Sequence, residues 1–203
     1  RIWLKSYPSS VPADIKYNEF KSIGALVERK VVGYPERPAF HCMGKTISFG
    51  ELDELTRAFG AWLQANGHGK AARVAIMMPN CLQYPVALYG TLRSGAIVVN
   101  VNPLYTPREL EHQHKDSGAE VIVILENFAH TLEQVLARTP VKHVIVASLG
   151  DMLGLKGLIV NLVGRKVKKM VPAYNLPGAL RFNDVIAAGR GREMKKVEVG
   201  QDD

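Results

Sequence analysis

Few side chains in this sequence have both the type and the spacing that chemistry needs. Gly67-His68-Gly69-Lys70 is a glycine-rich turn closing on lysine, a pattern by which backbone amides can cradle phosphate. A Walker loop also needs a glycine five positions before its Gly-Lys pair and a hydroxyl directly after the lysine. Gln64 and Ala71 stand at those positions, so the turn reads as the end of a helix. Gly189-Arg190-Gly191 opens like a dinucleotide fingerprint, but Met194 holds the third glycine's place and no strand is expected before it. His112 and His114 lie two apart, and helical residues at that spacing point to opposite sides. His112 and Asp116 share a face, yet two ligands do not make a metal site, and a solvated helix face is expected. Cys42 falls in an expected strand and Cys81 beside a helix start, where a thiol's pKa can fall. Buried free cysteines are mostly inert packing groups all the same. No serine sits in a nucleophile elbow. By its own residues the chain offers no catalytic, cofactor-binding or metal-binding side chain.

The charge distribution points elsewhere. Lys and Arg number 26 against 19 Asp and Glu, a net charge of +7. From Met152 to Val171 the basic residues Lys156, Arg165, Lys166, Lys168 and Lys169 occur with no acid among them. At about 100° per residue, Met152, Leu155, Ile159, Leu162, Val163, Val167 and Met170 fall on one side of a helix. Asn161, Arg165 and Lys168 fall opposite, with Lys169 toward the flank and Asp151 placed to cap the start. A basic amphipathic helix over 151–171 can lie in an anionic membrane surface, with Lys156, Arg165, Lys168 and Lys169 as candidate contacts. The competing expectation is a surface helix packed on its own domain. Gly154, Gly157 and Gly164 lower helix propensity, and Lys156 and Lys166 lie within the apolar arc. No RNA-type aromatic motif or zinc-finger spacing occurs, so nucleic acid is not an expected partner.

The elements that must carry these residues follow from apolar rhythm. With 203 residues, 47% of them hydrophobic and 22% charged, the chain is long enough for a core without disulfide or metal staples. Its two cysteines suit a reducing compartment, and no run of 18 apolar residues spans a membrane. Arg1-Ile2-Trp3-Leu4-Lys5 leads into Tyr-Pro-Ser-Ser and not into a signal core, so a cytoplasmic protein is expected. Residues 20–32 are apolar at helical spacing, and 39–43 with 46–48 read as a hairpin around Gly44-Lys45. Ser48 and Glu51 form a capping box that opens a helix ending at Asn66-Gly67. The Val- and Ile-rich runs 74–78, 97–101, 121–125 and 144–147 do not alternate, as expected of strands buried on both faces of a parallel sheet. Helices are expected between them at 81–93, 107–116 and 128–138, the second opened by the capping box Thr106-Pro107-Arg108-Glu109.

The fold class is therefore α/β, an incomplete doubly wound and mainly parallel sheet flanked by helices. Residues 1–19 read as an extended arm, 20–150 as the α/β subdomain and 151–171 as the basic helix. Residues 172–203 read as a loop, a short helix at 182–188 and a polar tail. An open sheet edge makes a homodimer a further expectation.

Several segments also resemble a known family. Ile47-Ser48-Phe49-Gly50-Glu51-Leu52 and Leu92-Arg93-Ser94-Gly95-Ala96-Ile97-Val98-Val99-Asn100-Val101-Asn102 resemble the first two core motifs of the adenylate-forming enzymes. The runs 77–87, Met-Met-Pro-Asn-Cys-Leu-Gln-Tyr-Pro-Val-Ala, and 100–113, from Asn100-Val101-Asn102-Pro103 to Glu111-His112-Gln113, are more specific. They are similar to bacterial long-chain fatty acyl-CoA synthetases, and the similarity runs in order from Trp3 to the tail. The resemblance implies a protein that joins a fatty acid to ATP as an acyl-adenylate and passes the acyl group to coenzyme A. Such chemistry needs Mg²⁺ and a Thr/Ser/Gly-rich loop ending in lysine, and no such loop occurs in residues 1–203. The implied reading is an N-terminal portion, inactive alone and holding no cofactor, whose parent uses ATP, Mg²⁺ and coenzyme A in the cytoplasm or on the inner face of the cell membrane. Gly95 and Pro103 are expected to be turn residues. The alternatives are a non-catalytic membrane- or partner-binding module, or part of a ligase for another carboxylic acid.

Overall fold

The computed structural model describes residues 1–15 and 19–201. The chain enters its core through α1 (Ile23–Gly33), capped by the Ser22 side chain. An antiparallel hairpin follows, β1 (Pro38–Cys42) and β2 (Lys45–Ser48), turning at Met43-Gly44 and not at Gly44-Lys45. Both halves of the expected capping box then form at α2 (Phe49–Ala65). The Glu51 amide donates to Ser48 Oγ at 3.1 Å, and the Ser48 amide donates to the Glu51 carboxylate at 2.9 Å.

Beyond α2 the βα rhythm is as the apolar runs predict. β3 (Arg73–Met77), α3 (Gln83–Arg93), β4 (Ile97–Asn100), α4 (Pro107–Ser117) and β5 (Val121–Leu125) succeed one another. A short α5 (Ala129–Glu133) and β6 (His143–Ala147) complete the run. The sheet order is β4-β3-β5-β6-β7, every pair parallel, and β7 is only Leu180–Arg181. Two residues of an apolar-polar pair carry no strand pattern, which is why β7 escapes a reading of the sequence.

Every residue of β5 is buried because the sheet is covered on both faces. Val121, Val123 and Leu125 enter one core with Phe59 and Trp62 of α2, Val86 of α3 and Phe182 of α7 (Phe182–Arg190). Ile122 and Ile124 enter the other, with Leu110 of α4 and Leu132 of α5. Strand alternation thus feeds two layers of helix, the doubly wound arrangement. β4 departs from expectation: as an edge strand it leaves Ile97 and Asn100 exposed and Val98 and Val99 half-buried.

Three other expectations are corrected. Residues 128–138 do not form one helix but a 3-10 turn (Glu126–Phe128), α5, and a second 3-10 turn (Leu136–Arg138). No side chain caps these pieces, and the amides of Val135 and Arg138 reach back only three residues, which tightens the coil. That tightening keeps Ala129, Leu132 and Val135 all buried against the sheet. The arm is not extended throughout: Ile2–Ser6 is a 3-10 turn and Arg1 pairs with Asp14 at 2.7 Å. Its residues 16–18, like 202–203 of the tail, lie outside the described residues. The third concerns α4, whose Thr106–Glu109 box and left-handed Gly118 cap form as the pattern implies. His112 is exposed there, but His114 is fully buried and not part of a solvated face.

Neither ring nitrogen of His114 has a hydrogen-bond partner, and burial pushes its pKa down to about 4. Because the folded pKa lies below the unfolded value near 6.5, stability is full above that value and falls as pH drops toward 4. The loss over that window is roughly 3 kcal/mol. We expect His114→Leu to leave stability at pH 7 unchanged or raise it by about 1 kcal/mol, since an unpaired buried group is removed. Urea unfolding at pH 7 and pH 5 should show the wild-type chain losing more stability than the variant. His68, also buried with its pKa lowered, leaves a residual slope of the same sign in both.

Candidate functional site

In the sheet, β3 comes first in sequence, β4 adds on one side of it and β5 on the other. Doubly wound sheets take ligands where such a reversal opens a crevice at the carboxyl ends of the strands. Here the chain's own side chains crowd that edge. Glu126, directly after β5, is 3% exposed. Arg165 donates through Nε and Nη2 to the same Glu126 oxygen, at 2.9 and 2.7 Å, and through Nη2 to Ser148 Oγ at 2.8 Å. The carboxylate raises the Arg165 pKa further above its usual value. Gln83, at the start of α3 and fully buried, donates to the carbonyls of Ser148 and Asp151 at 2.9 and 2.8 Å. Asn127 holds the Met170 carbonyl at 2.9 Å. A segment 40 residues further along the chain is therefore fastened across the ends of β5 and β6.

That segment is the basic one, and it differs from a helix over 151–171. Asp151 does not cap it: its carboxylate accepts the Ser148 amide at 2.8 Å within a turn, where burial raises its pKa. After Met152 and Gly154, both at positive φ, α6 (Leu155–Leu162) begins without a side-chain cap and runs into a π-helical turn (Val163–Val167). The face turned inward is the small and polar one. Gly157 lies so close to the Gly150 carbonyl that a Cβ there would collide with it, and Asn161 Oδ1 accepts the Gly150 amide at 2.7 Å. The apolar stripe faces out: Leu155, Leu158, Ile159 and Leu162 are between 59% and 86% exposed. Val167 and Met170 are exposed too, while Met152 and Val163, expected on the same stripe, are half-buried.

All four candidate contacts, Lys156, Arg165, Lys168 and Lys169, are exposed. Arg165 differs from the three lysines in being paired with the buried Glu126. Sequence reasoning missed Glu126, Gln83 and Ser148; the available signal was a carboxylate immediately after a wholly apolar strand.

The remaining candidates resolve as structure. Gly67-His68 is the turn that ends α2, the His68 amide closing on the Leu63 carbonyl at 2.8 Å. Arg190 ends α7 and pairs with Glu54 at 3.2 Å. Gly95 turns the chain into β4 at φ +85°. Burial pushes the Cys81 thiol up to about 11, so it is a packing group, its Sγ 3.7 Å from Met78 Sδ. Cys42 lies half-buried in β1. Among the described residues no three His, Cys, Asp or Glu side chains converge on a point that could hold a metal ion.

A protein-family profile described as "AMP-binding enzyme" matches residues 27–173. The chain belongs to the AMP-binding enzyme family. Relatives include a long-chain-fatty-acid–CoA ligase of Yersinia pestis, 51% identical over 98% of this chain and 36% of that protein. One of Haemophilus influenzae is 46% identical over 100% of this chain and again 36% of its own length. The chain thus spans about a third of the relatives it matches. The fold is shared with a benzoate CoA ligase of Burkholderia xenovorans (TM-score 0.69, 22% identity, 91% of this chain and 31% of that one). A long-chain-fatty-acid-CoA ligase of Archaeoglobus fulgidus gives a TM-score of 0.64 at 22% identity over 87% of this chain and 32% of that one. The described residues do not fit Mg²⁺: no three carboxylate, His or Cys side chains converge, and Glu126 is already paired with Arg165.

The Glu126–Arg165 pair is testable by a double-mutant cycle. Arg165→Met leaves a 4% exposed carboxylate side chain without its cation and should cost roughly 2–3 kcal/mol. The figure sits below that for a fully buried pair because the Arg165 side chain is 47% exposed. Glu126→Gln should cost less, since Arg165 can rehydrate, and the double variant with both replaced by Met should recover much of the loss. Denaturant unfolding of the four proteins measures each corner.

Proposed function

We infer that the whole protein containing this chain is a long-chain fatty acid:CoA ligase, and that this chain is its N-terminal part. The single observation behind the reading is about half identity, along essentially all of this chain, to long-chain-fatty-acid–CoA ligases. In that chemistry a fatty carboxylate oxygen attacks the α-phosphorus of ATP and pyrophosphate leaves. The coenzyme A sulfur then attacks the acyl carbon and AMP leaves, giving the thioester. Mg²⁺, when bound by the whole protein, would offset the phosphate charge in the first step. This chain's own residues supply the rigid layered scaffold and touch no reacting atom.

On this reading the protein works in the cytoplasm and peripherally at the inner face of the cell membrane, where a long-chain acid partitions. Among the described residues no helix is long and apolar enough to cross a membrane. Self-association is a second proposal, favoured by the outer edge of β4, which no strand pairs among the described residues and where Ile97 is 41% exposed. It predicts a concentration-dependent dimer by light scattering that Ile97→Lys abolishes.

The ligase reading is tested on the full-length protein. It should release pyrophosphate from Mg-ATP only with a long-chain fatty acid and form the thioester once coenzyme A is added. The 203-residue chain alone should do neither, having no glycine-rich loop that closes on a phosphate-binding lysine. Faster turnover with benzoate than with a long-chain acid would reassign the substrate.

A further inference from the structure

We propose that the outward face of α6 and its π-helical turn docks the protein on an anionic lipid bilayer. The proposal deepens the ligase reading by naming a partner, but the surface stands on this chain's residues alone. Leu155, Leu158, Ile159 and Leu162 recur at intervals of three and four, so they form one stripe along the helix, and all are exposed. Exposed Val167 and Met170 extend the apolar surface past the end of α6. Four large aliphatic side chains in one stripe are more than the scattered apolar exposure of an ordinary surface.

Charge selects the occupant. Lys156, Lys166, Lys168 and Lys169 are all exposed, and no acid lies between Met152 and Val171. A protein partner would have to match an apolar stripe bordered by uncompensated lysines. An anionic bilayer offers both complements at once: an acyl boundary for the leucines and headgroup charge for the ammonium groups. Lys156 also reaches the β1–β2 turn, its Nζ 3.4 Å from where a Gly44 Cβ would stand, and Met43 beside it is exposed. The hairpin tip therefore borders the same surface.

Two features hold the stripe in this orientation. Gly157 and Asn161 engage Gly150 on the inner face, and the Arg165–Glu126 pair pins the following turn to the sheet edge. Arg165 is then a positioning residue and not a headgroup contact, unlike the three exposed lysines beside it. With the polar face held inward, the helix cannot roll its leucines under the domain.

The test is co-sedimentation of the full-length protein with vesicles of phosphatidylcholine alone or with 30% phosphatidylglycerol, across a salt series, roughly spanning the screening range. Binding is expected only with the anionic lipid and should weaken as salt rises. Replacing Lys156, Lys166 and Lys168 by Gln should reduce partitioning on the order of a hundredfold. Replacing Leu158, Ile159 and Leu162 by Ser should abolish it while thermal unfolding changes by only a few degrees, because all three side chains are mostly exposed. Equal binding to both lipids, or no binding, overturns the proposal. So does a stripe variant that unfolds at a much lower temperature or loses self-association, because the stripe is then covered by the protein itself or by a second copy. Vesicle binding needs no turnover, so its loss with ligase activity intact refutes the docking surface alone. Lost activity with binding intact refutes only the ligase reading.

Discussion

A parallel sheet cannot leave a face bare, and most of this structure follows from that constraint. β3, β5 and β6 are apolar at nearly every position, so alternate side chains must be received on both sides. α2, α3 and α7 cover one face and α4 with α5 the other. When the chain reaches residue 150, α4 and α5 cover one face and α2 and α3 part of the other, with α7 still to complete it. The next helix is left with the carboxyl edge, where exposed backbone groups and short polar side chains await it in place of an apolar floor. Its glycine and asparagine fit that edge, and its leucines do not. The outward stripe is a consequence of the small and polar face that α6 turns toward Gly150.

The edge itself is held by charge. Taking Glu126 out of water costs several kcal/mol, which the Arg165 guanidinium offsets by two direct hydrogen bonds while the Ser148 hydroxyl accepts from the same guanidinium. Such a pair adds little net stability beside an apolar replacement, but it is directional. It allows one placement of the 163–170 turn, and with it one orientation of the helix before it. Tyr174 shares the enclosure, its pKa raised first by burial and then by Glu126. Specificity of position is the better account of why a charged pair stands there, and the double-mutant cycle separates that role from simple stabilisation.

The strands were legible because β-rich runs without alternation have one cheap solution, burial on both faces. The capping boxes at Ser48 and Thr106 were legible because their chemistry is local to four residues. Burial order was not: nothing in Ile97-Val98-Val99-Asn100 distinguishes an edge strand from a central one, and that choice depends on which crossover comes next. The basic segment shows the limit most clearly. Its period separates an apolar from a polar face, but periodicity does not say which face is turned inward. The usual assumption buries the leucines; the close approach of Gly157 to Gly150 reverses it. Arg165 read as one more surface cation because its partner lies 39 residues away.

The same edge bears on where the chemistry of an AMP-binding enzyme can lie. In a doubly wound sheet the reversal between β3 and β5 is the natural ligand crevice. A nucleotide there would meet Gln83 already committed to two carbonyls and Glu126 already committed to Arg165. Freeing Arg165 for a phosphate would leave Glu126 a buried, uncompensated anion beside that phosphate, two like charges in a poorly solvated space. Electrostatics therefore disfavours a nucleotide phosphate in this crevice. This sheet edge instead positions a surface helix, through Arg165 on Glu126 and Asn161 on Gly150.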